Sequence, residues 1–397
     1  MKFKKPVLSL LLLSVTLFSG FSLLADEVKN EATLLKQQIA RLAERLDNLE
    51  STKALKNKKS VKNSIFDRLS FKADFRERYE IIDQEGKEER DRNRLRLRAA
   101  MKMKVDDSLS FTLGMATGGD DPVSTNQTLD TASSTKDIRL DLAHFDYKFN
   151  DSLSLTGGKM KNPFYKPGKT PAFWDSDLNP EGFALKFKSG NTKGTLVGFS
   201  LEERKADSDT YMLGAQVTHD FKISDSSKFI AGVGYYNYTS LKGFATLYDS
   251  KPRGNSVDVD GNYLTDFNIA EIIIEYKTKV GGQPLSFFGN IHKNTAADKL
   301  DTSIVYGVNY GKVKESGSWK VGLSFIDNEA DSVIGLFNDS DFAGGNTDSK
   351  GFLFKYGYGI KKNLSFGLAY ISSEFGQNQA EQTEYNRLQL DLKMKFK

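Results

Sequence analysis

The sequence predicts an all-β transmembrane barrel of about sixteen antiparallel strands, with an inward-folded third loop and a short N-terminal α-helical coiled coil. Three observations carry this prediction. From about residue 66 apolar and polar residues alternate with a period of two. Short turns and long polar loops alternate between the runs. Beyond residue 24 no apolar run is long enough for a membrane helix. Cysteine is absent from the 397 residues, which excludes disulfides, a thiol nucleophile and cysteine metal ligands.

Residues 1–25 read as a secretory signal peptide. Lys2, Lys4 and Lys5 precede an apolar stretch from Val7 to Leu24, and Ala25 offers a small residue for cleavage. An uncleaved membrane anchor competes with this reading, against the small polar residues Ser9, Ser14, Thr16, Ser19 and Ser22. Losing the three lysines takes the formal net charge from +4 to +1, so nucleic-acid binding has no global electrostatic support.

Residues 26–52 carry heptads and read as a periplasmic coiled-coil segment. Val28, Ala32, Leu35, Ile39, Leu42, Leu46 and Leu49 are spaced alternately four and three apart. Glu31 and Arg45 fall at g positions, where they can meet Lys36 and Glu50 at e of a neighbouring chain. The alternative is a lone amphipathic helix lying on its own domain, and the core choices do not separate dimer from trimer. Residues 53–65, with five lysines between Lys53 and Lys62, read as a basic linker.

Residues 66–397 form the predicted barrel. Leu69, Phe71, Ala73 and Phe75 alternate with Ser70, Lys72, Asp74 and Arg76, and Leu95 to Val105 continues the pattern. One apolar and one wet face follow. Sixteen such runs are counted, the tenth from 263 to 279, and the even number suits a single-chain outer-membrane barrel. The alternation slips once between Leu142 and Ala143, which predicts a bulge. Phe149, Phe221, Tyr276 and Phe396 stand at short-turn or terminal ends, where an aromatic girdle would place them.

The stretch 159–182 interrupts the series with four of the eight prolines and one of the two tryptophans. Proline removes ladder donors, so this stretch is a loop, and its aromatic groups must pack somewhere. It is expected to fold back into the barrel as a constriction. Asp175, Asp177 and Glu181 lie on its returning arm, against Lys166 and Lys169 on the entering arm. Phe164, Tyr165, Phe173 and Trp174 are read as wedges against the wall, with stacking on a sugar as the alternative.

The wet face of the first two strands carries Arg76, Arg78, Arg94, Arg96, Arg98 and Lys102, with Lys72, Lys104, Asp74 and Glu80. Residues two apart in a strand repeat about every 7 Å. This basic wall opposite the acidic loop predicts a transverse field and a mild anion preference, which replacing Arg94, Arg96 and Arg98 together should shift toward cations. Arginines serving as solvated or loop-paired structural charges are the competing reading.

Catalytic and metal chemistry find little footing. His144, His219 and His292 are far apart and none sits in a hydrolase motif; His144 reads as lumen-lining. Asp258-Val-Asp-Gly-Asn262 lacks full calcium-ligand spacing and reads as a solvated turn. No enzyme activity, cofactor or metal is expected.

Several stretches resemble the proteobacterial putative-porin family: Asp74-Phe-Arg-Glu-Arg-Tyr79, Asp91-Arg-Asn-Arg-Leu-Arg-Leu-Arg98, Ala116 to Thr128, Gly158-Lys-Met-Lys-Asn-Pro-Phe-Tyr165 and Trp174 to Gly182. The resemblance covers residue 66 to the end, and is specific in the first half. It implies a Gram-negative outer membrane, with lipid and lipopolysaccharide around the barrel. It also implies a homotrimer of 16-stranded porins passing small hydrophilic solutes. The coiled coil is similar in layout to the periplasmic extension of sucrose-type porins and also fits a contact with peptidoglycan. A solute-specific channel for a sugar or anion, and an outer-membrane tether, remain alternatives. The family typically ends on an aromatic residue, whereas here Lys397 follows Phe396.

Overall fold

The computed structural model describes residues 36–38, 40–45, 65–379 and 381–396. The chain divides between Asn63 and Ser64 into two units. In the first, residues 36–38 and 40–45 are helical and Leu42 is 58% exposed. The signal segment 1–25, linker residues 53–64, Lys397, and the heptad residues Val28, Ala32, Leu35, Ile39, Leu46 and Leu49 lie outside the described residues.

In the second unit the period-two runs become strands, because alternating side chains give an extended backbone one apolar and one polar side. Sixteen of them close one antiparallel sheet. The first five are β1 (Leu69–Gln84), β2 (Arg90–Lys104), β3 (Leu109–Thr117), β4 (Ile138–Lys148) and β5 (Leu153–Lys159). Then come β6 (Glu181–Ser189), β7 (Thr192–Glu202), β8 (Thr210–Lys222), β9 (Lys228–Tyr238), β10 (Asn268–Val280) and β11 (Gln283–Asn294). The last are β12 (Thr302–Gly311), β13 (Trp319–Asn328), β14 (Ser349–Lys361), β15 (Leu364–Phe375) and β16 (Thr383–Phe396). A further two-residue strand, Gln127–Thr128, pairs back onto β2 opposite Leu95 and Arg94.

Each strand pairs with its neighbours in sequence, and β1 closes the ring: Tyr79 stands between Asn93 of β2 and Leu390 of β16. Closure removes the open edge that a sheet of this size would otherwise expose. The two faces differ as a barrel in lipid requires. On β10, Ile272 and Ile274 are 54% and 47% exposed, while Ile269, Glu271, Ile273 and Glu275 between them are buried. Phe149, Phe221, Tyr276 and Phe396 all lie on the exposed side near the short-turn end.

Two local details depart from plain alternation. Between β3 and β4, Gly114 faces Leu142 while Met115 faces Leu140, so Asp141 is an extra residue. This bulge falls at Asp141, just before the slip read in the sequence, and it turns Leu142 inward, where a Cβ on Gly114 would lie 3.0 Å from Leu142. The tenth strand begins at Asn268, not at 263. Tyr263 bonds instead with Phe244 and pairs with Val257, so the apolar residues before Asn268 belong to the long loop 239–267.

The buried apolar mass lies between the inner wall and the loops. Trp174 and Phe164 join Phe199 and Tyr236 of the wall with Ile334 and Phe337 of loop 329–348. A second cluster gathers Ala172 and Phe342 against Phe288 and Ile371.

Candidate pore lining

The arginines of β2 are placed by register. Asp74 lies opposite Arg98, Arg76 opposite Arg96, Arg78 opposite Arg94 and Glu80 opposite Arg92. Like charges opposed across a pair are unfavourable, so each guanidinium but that of Arg76 turns to a carboxylate. Asp74 takes Arg96 and Arg98, both at 3.0 Å. Asp177 takes the same pair at 3.3 and 2.9 Å. Higher up, Glu80 is contacted by Arg92 and lies 3.6 Å from Arg94 and 2.6 Å from Arg387. Arg78 bonds Asp391 at 2.7 Å and Asp341 at 3.0 Å, and Arg387 reaches Asp341 at 2.9 Å. Arg76 donates to Asn126, and its Nε has no partner among the described residues. Lys102 pairs with Asp146 at 2.8 Å.

Residues 160–180 reach the buried side of many strands. The Tyr165 amide donates to Gln216 of β8 at 2.7 Å; its hydroxyl contacts Glu275 of β10 and accepts from Lys277 at 2.9 Å. The Gly168 carbonyl accepts from Asn309 of β12 at 3.2 Å. Gly168 has φ +59°, and a Cβ there would stand 2.3 Å from the Phe288 ring, so only glycine fits. Phe173 stacks on His292 of β11 with centroids 3.8 Å apart, and Asn179 donates to Asp141 at 2.6 Å.

The predicted acidic residues do not act together. Asp177 meets the arginines. Asp175 is buried and turned away from them, accepting from the backbone of Asp177 at 2.7 Å and of Ser340 at 3.0 Å. Glu181 opens β6 and pairs with Lys159 at 2.8 Å. Lys166 donates to the Trp174 carbonyl at 3.1 Å, and Lys169 is exposed. Burial, with Asp339 and Asp177 nearby, pushes the Asp175 carboxyl well above the usual range. Burial also opposes ionisation of Asp177, but Arg96 and Arg98 outweigh it and hold its carboxyl low.

Sequence reasoning missed Asp341, Arg387 and Asp391. Asp391 and Arg387 follow the inward parity of β16, which the alternation itself supplies; Asp341 is delivered by a loop and has no such signal. It also missed the network around buried Glu271, which accepts from Tyr236 at 2.6 Å, from Gln216 and Asn290 at 2.9 Å, and meets His292 at 3.2 Å. Among the histidines, His144 lies 3.7 Å from Asp146 and His219 faces outward beside Phe221. Asp258 accepts from the amides of Asp260 and Asn262, an Asx-type turn.

The family model described as "Putative porin" matches residues 43–262 and 253–396, nearly the whole chain. The chain belongs to the putative-porin family. This porin's barrel is similar to the high-pH structure of Pseudomonas putida OprB, with TM-score 0.58 and 12% identity over 84% of this chain and 95% of that one. It is also similar to a loop-deletion mutant of OmpT, an outer membrane protein of Vibrio cholerae, with TM-score 0.50 and 11% identity over 83% and 100%. Salmonella typhi OmpF in complex with daunomycin matches the porin with TM-score 0.50 and 10% identity over 83% and 97%. At such identities the likeness is one of fold. No curated protein sequence matches the porin significantly.

Proposed function

We propose that the porin is a non-enzymatic channel for passive diffusion of small hydrophilic solutes across a Gram-negative outer membrane. The observation that carries this reading is the closed sheet with an apolar outer face and a charged inner one. The signal peptide directs export, the coiled coil stands in the periplasm, and the functional unit is a homotrimer set in lipid and lipopolysaccharide. Residues 160–180 cross the lumen and narrow it: their partners come from the buried faces of β2, β4, β8, β10, β11 and β12. Phe164 and Trp174 act as packing for that segment, and Asp177 against Arg96 and Arg98 forms one side of the narrowest passage. The channel mildly prefers anions.

A narrower, solute-selective channel is the second reading. It is favoured by loop 329–348, which joins residues 160–180 through the Asp175 amide to the Phe337 carbonyl at 2.8 Å. Planar-bilayer recording tests both. Stepped conductance in KCl is expected, and a silent barrel would sink the channel reading. Saturation of the current by one solute class, absent for others, would select the narrower reading. Deleting residues 27–62 should leave conductance intact; a tether whose coiled coil binds peptidoglycan or a periplasmic partner should instead lose its envelope phenotype.

A further inference from the structure

Building on the channel reading, we propose that the inner wall of β13–β16, at its short-turn end, is a binding site for multivalent phosphate-type oxyanions. Inward parity on these strands brings Lys320, Lys355, Lys393 and Lys395 to one region. The charged groups that act on Lys320 are the ammonium groups of Lys355, Lys169 and Lys395. Lys169 comes from the loop 160–180, so the site is assembled from wall and loop together.

The floor is built for it. Gly357 of β14 lies directly opposite Gly367 of β15. The Lys320 stem runs across Gly357, its Cε 3.1 Å from where a Cβ would stand. The Lys393 ammonium lies 3.0 Å from the corresponding point at Gly367. Cross-strand partners are about 5 Å apart at Cα, so the two lysines lie over adjacent glycines, with Val313 beside Lys320 and Asp391 beside Lys393. Ser365 and Ala369 flank Gly367 on β15 with small side chains.

Charge balance makes the patch a site for anions. Among the described residues, Asp391 is the one carboxylate on the inner face of β13–β16, and it is held by Arg78 at 2.7 Å and Lys393 at 2.8 Å. Lys320, Lys355, Lys395 and Lys169 have no ion pair or side-chain hydrogen bond among the described residues, and all four are exposed. On the opposite wall at the same end three inward lysines are matched, Lys102 with Asp146, Lys228 with Asp220 and Lys277 with Glu275, while Lys72 and Lys186 have no ion pair among the described residues. An ammonium is a point charge with three donors, and several around one patch suit an anion with several charged oxygens better than chloride.

The test is block of single-channel current by inorganic pyrophosphate, added from either side to the full-length protein in a planar bilayer. The half-blocking concentration should rise about tenfold in the double variant Lys320→Gln/Lys355→Gln, which removes two charges near the anion. It should stay unchanged in Lys320→Arg/Lys355→Arg, which keeps them, and in Lys299→Gln, an exposed loop position at the other end. Equal block in the Gln variant overturns the site while leaving the channel reading intact. If no form conducts, the channel reading fails and calorimetric titration of the detergent-solubilised protein with pyrophosphate decides the site. Binding about tenfold weaker in the Gln variant supports it, and equal or absent binding overturns it.

Discussion

Two stretches of the inner wall carry dense positive charge and treat it in opposite ways. Around β1 and β2, six guanidiniums (Arg78, Arg92, Arg94, Arg96, Arg98 and Arg387) share five carboxylates, from Asp74, Glu80, Asp177, Asp341 and Asp391, while Arg76 turns to Asn126. At the short-turn end of β13–β16, lysines lie over glycines, and among the described residues their one ion pair is Lys393 with Asp391, although Asp74 stands opposite Lys395. The arginine stretch therefore works as a brace: its forks bind carboxylates on β1, β16 and two loops at fixed angles. The lysine stretch keeps its charge free for water and solute. Dense charge in sequence and net field in the lumen are different quantities, and only pairing tells them apart.

The largest expected effect breaks the brace. Asp177→Ala leaves Arg96 and Arg98 with Asp74 alone, and losing one partner of a largely buried pair costs about 3 kcal/mol or more. That cost should appear as faster proteolysis within residues 160–180 and noisier, larger single-channel currents. Unchanged loop protection would mean that Asp177 does not anchor it.

Charge reversal at the other stretch comes next. Lys320→Glu/Lys355→Glu should move the reversal potential in asymmetric KCl toward cations, on the order of tenfold in the permeability ratio. Replacing Arg94, Arg96 and Arg98 with Gln should shift it less, because Asp74, Glu80 and Asp177 already oppose them. A larger shift from the arginine triple would reverse the comparison.

Much of the wall was legible in the sequence, because parity alone assigns Arg94, Arg96 and Arg98 to one face and Leu95 and Leu97 to the other. The arginine ladder was legible for the same reason. Its neutralisation was not. Asp391 is far from Arg78 in sequence, and closure of β16 onto β1 brings Arg78 and Asp391 face to face. Asp341 arrives from a loop whose path no local pattern dictates. Loop residues escape periodicity altogether: Asp175 and Asp177 are two apart and read alike, yet one meets arginines and the other backbone amides. The start of β10 was misread because Tyr263 and Phe267 are apolar for packing under a loop.

A third change probes how the loop sits between the two stretches. Gly168→Ala places a Cβ 2.3 Å from the Phe288 ring at φ +59°, so ring or loop must shift, at about 1–3 kcal/mol. Because Lys169 follows directly, the variant should weaken pyrophosphate block by a few-fold while leaving the arginine pairs in place. Equal block would separate Lys169 from the anion site.

The smallest effect is one of pH, and its sign follows from two neighbouring carboxyls. Asp177 is held low by Arg96 and Arg98 against burial, so its stabilising contribution is present above the usual carboxylate range and is lost as pH falls through its lowered value. Asp175 is pushed up by burial and by Asp339 and Asp177, so the folded loop binds its proton more readily than the unfolded chain does. Its junction with Ser340 is therefore most stable in acid and weakens as pH rises through the raised value. Between the lowered value of Asp177 and the raised value of Asp175, Asp177 is still charged and Asp175 is protonated, and the loop should be tightest. Amide exchange within residues 160–180 should be slower there than at alkaline pH, after correction for intrinsic exchange. Asp175→Asn should flatten the alkaline limb and leave the acid limb, which belongs to Asp177. An alkaline limb that survives in Asp175→Asn would assign the titration to another group, with buried Asp339, itself raised by burial and Asp341, as the next to replace.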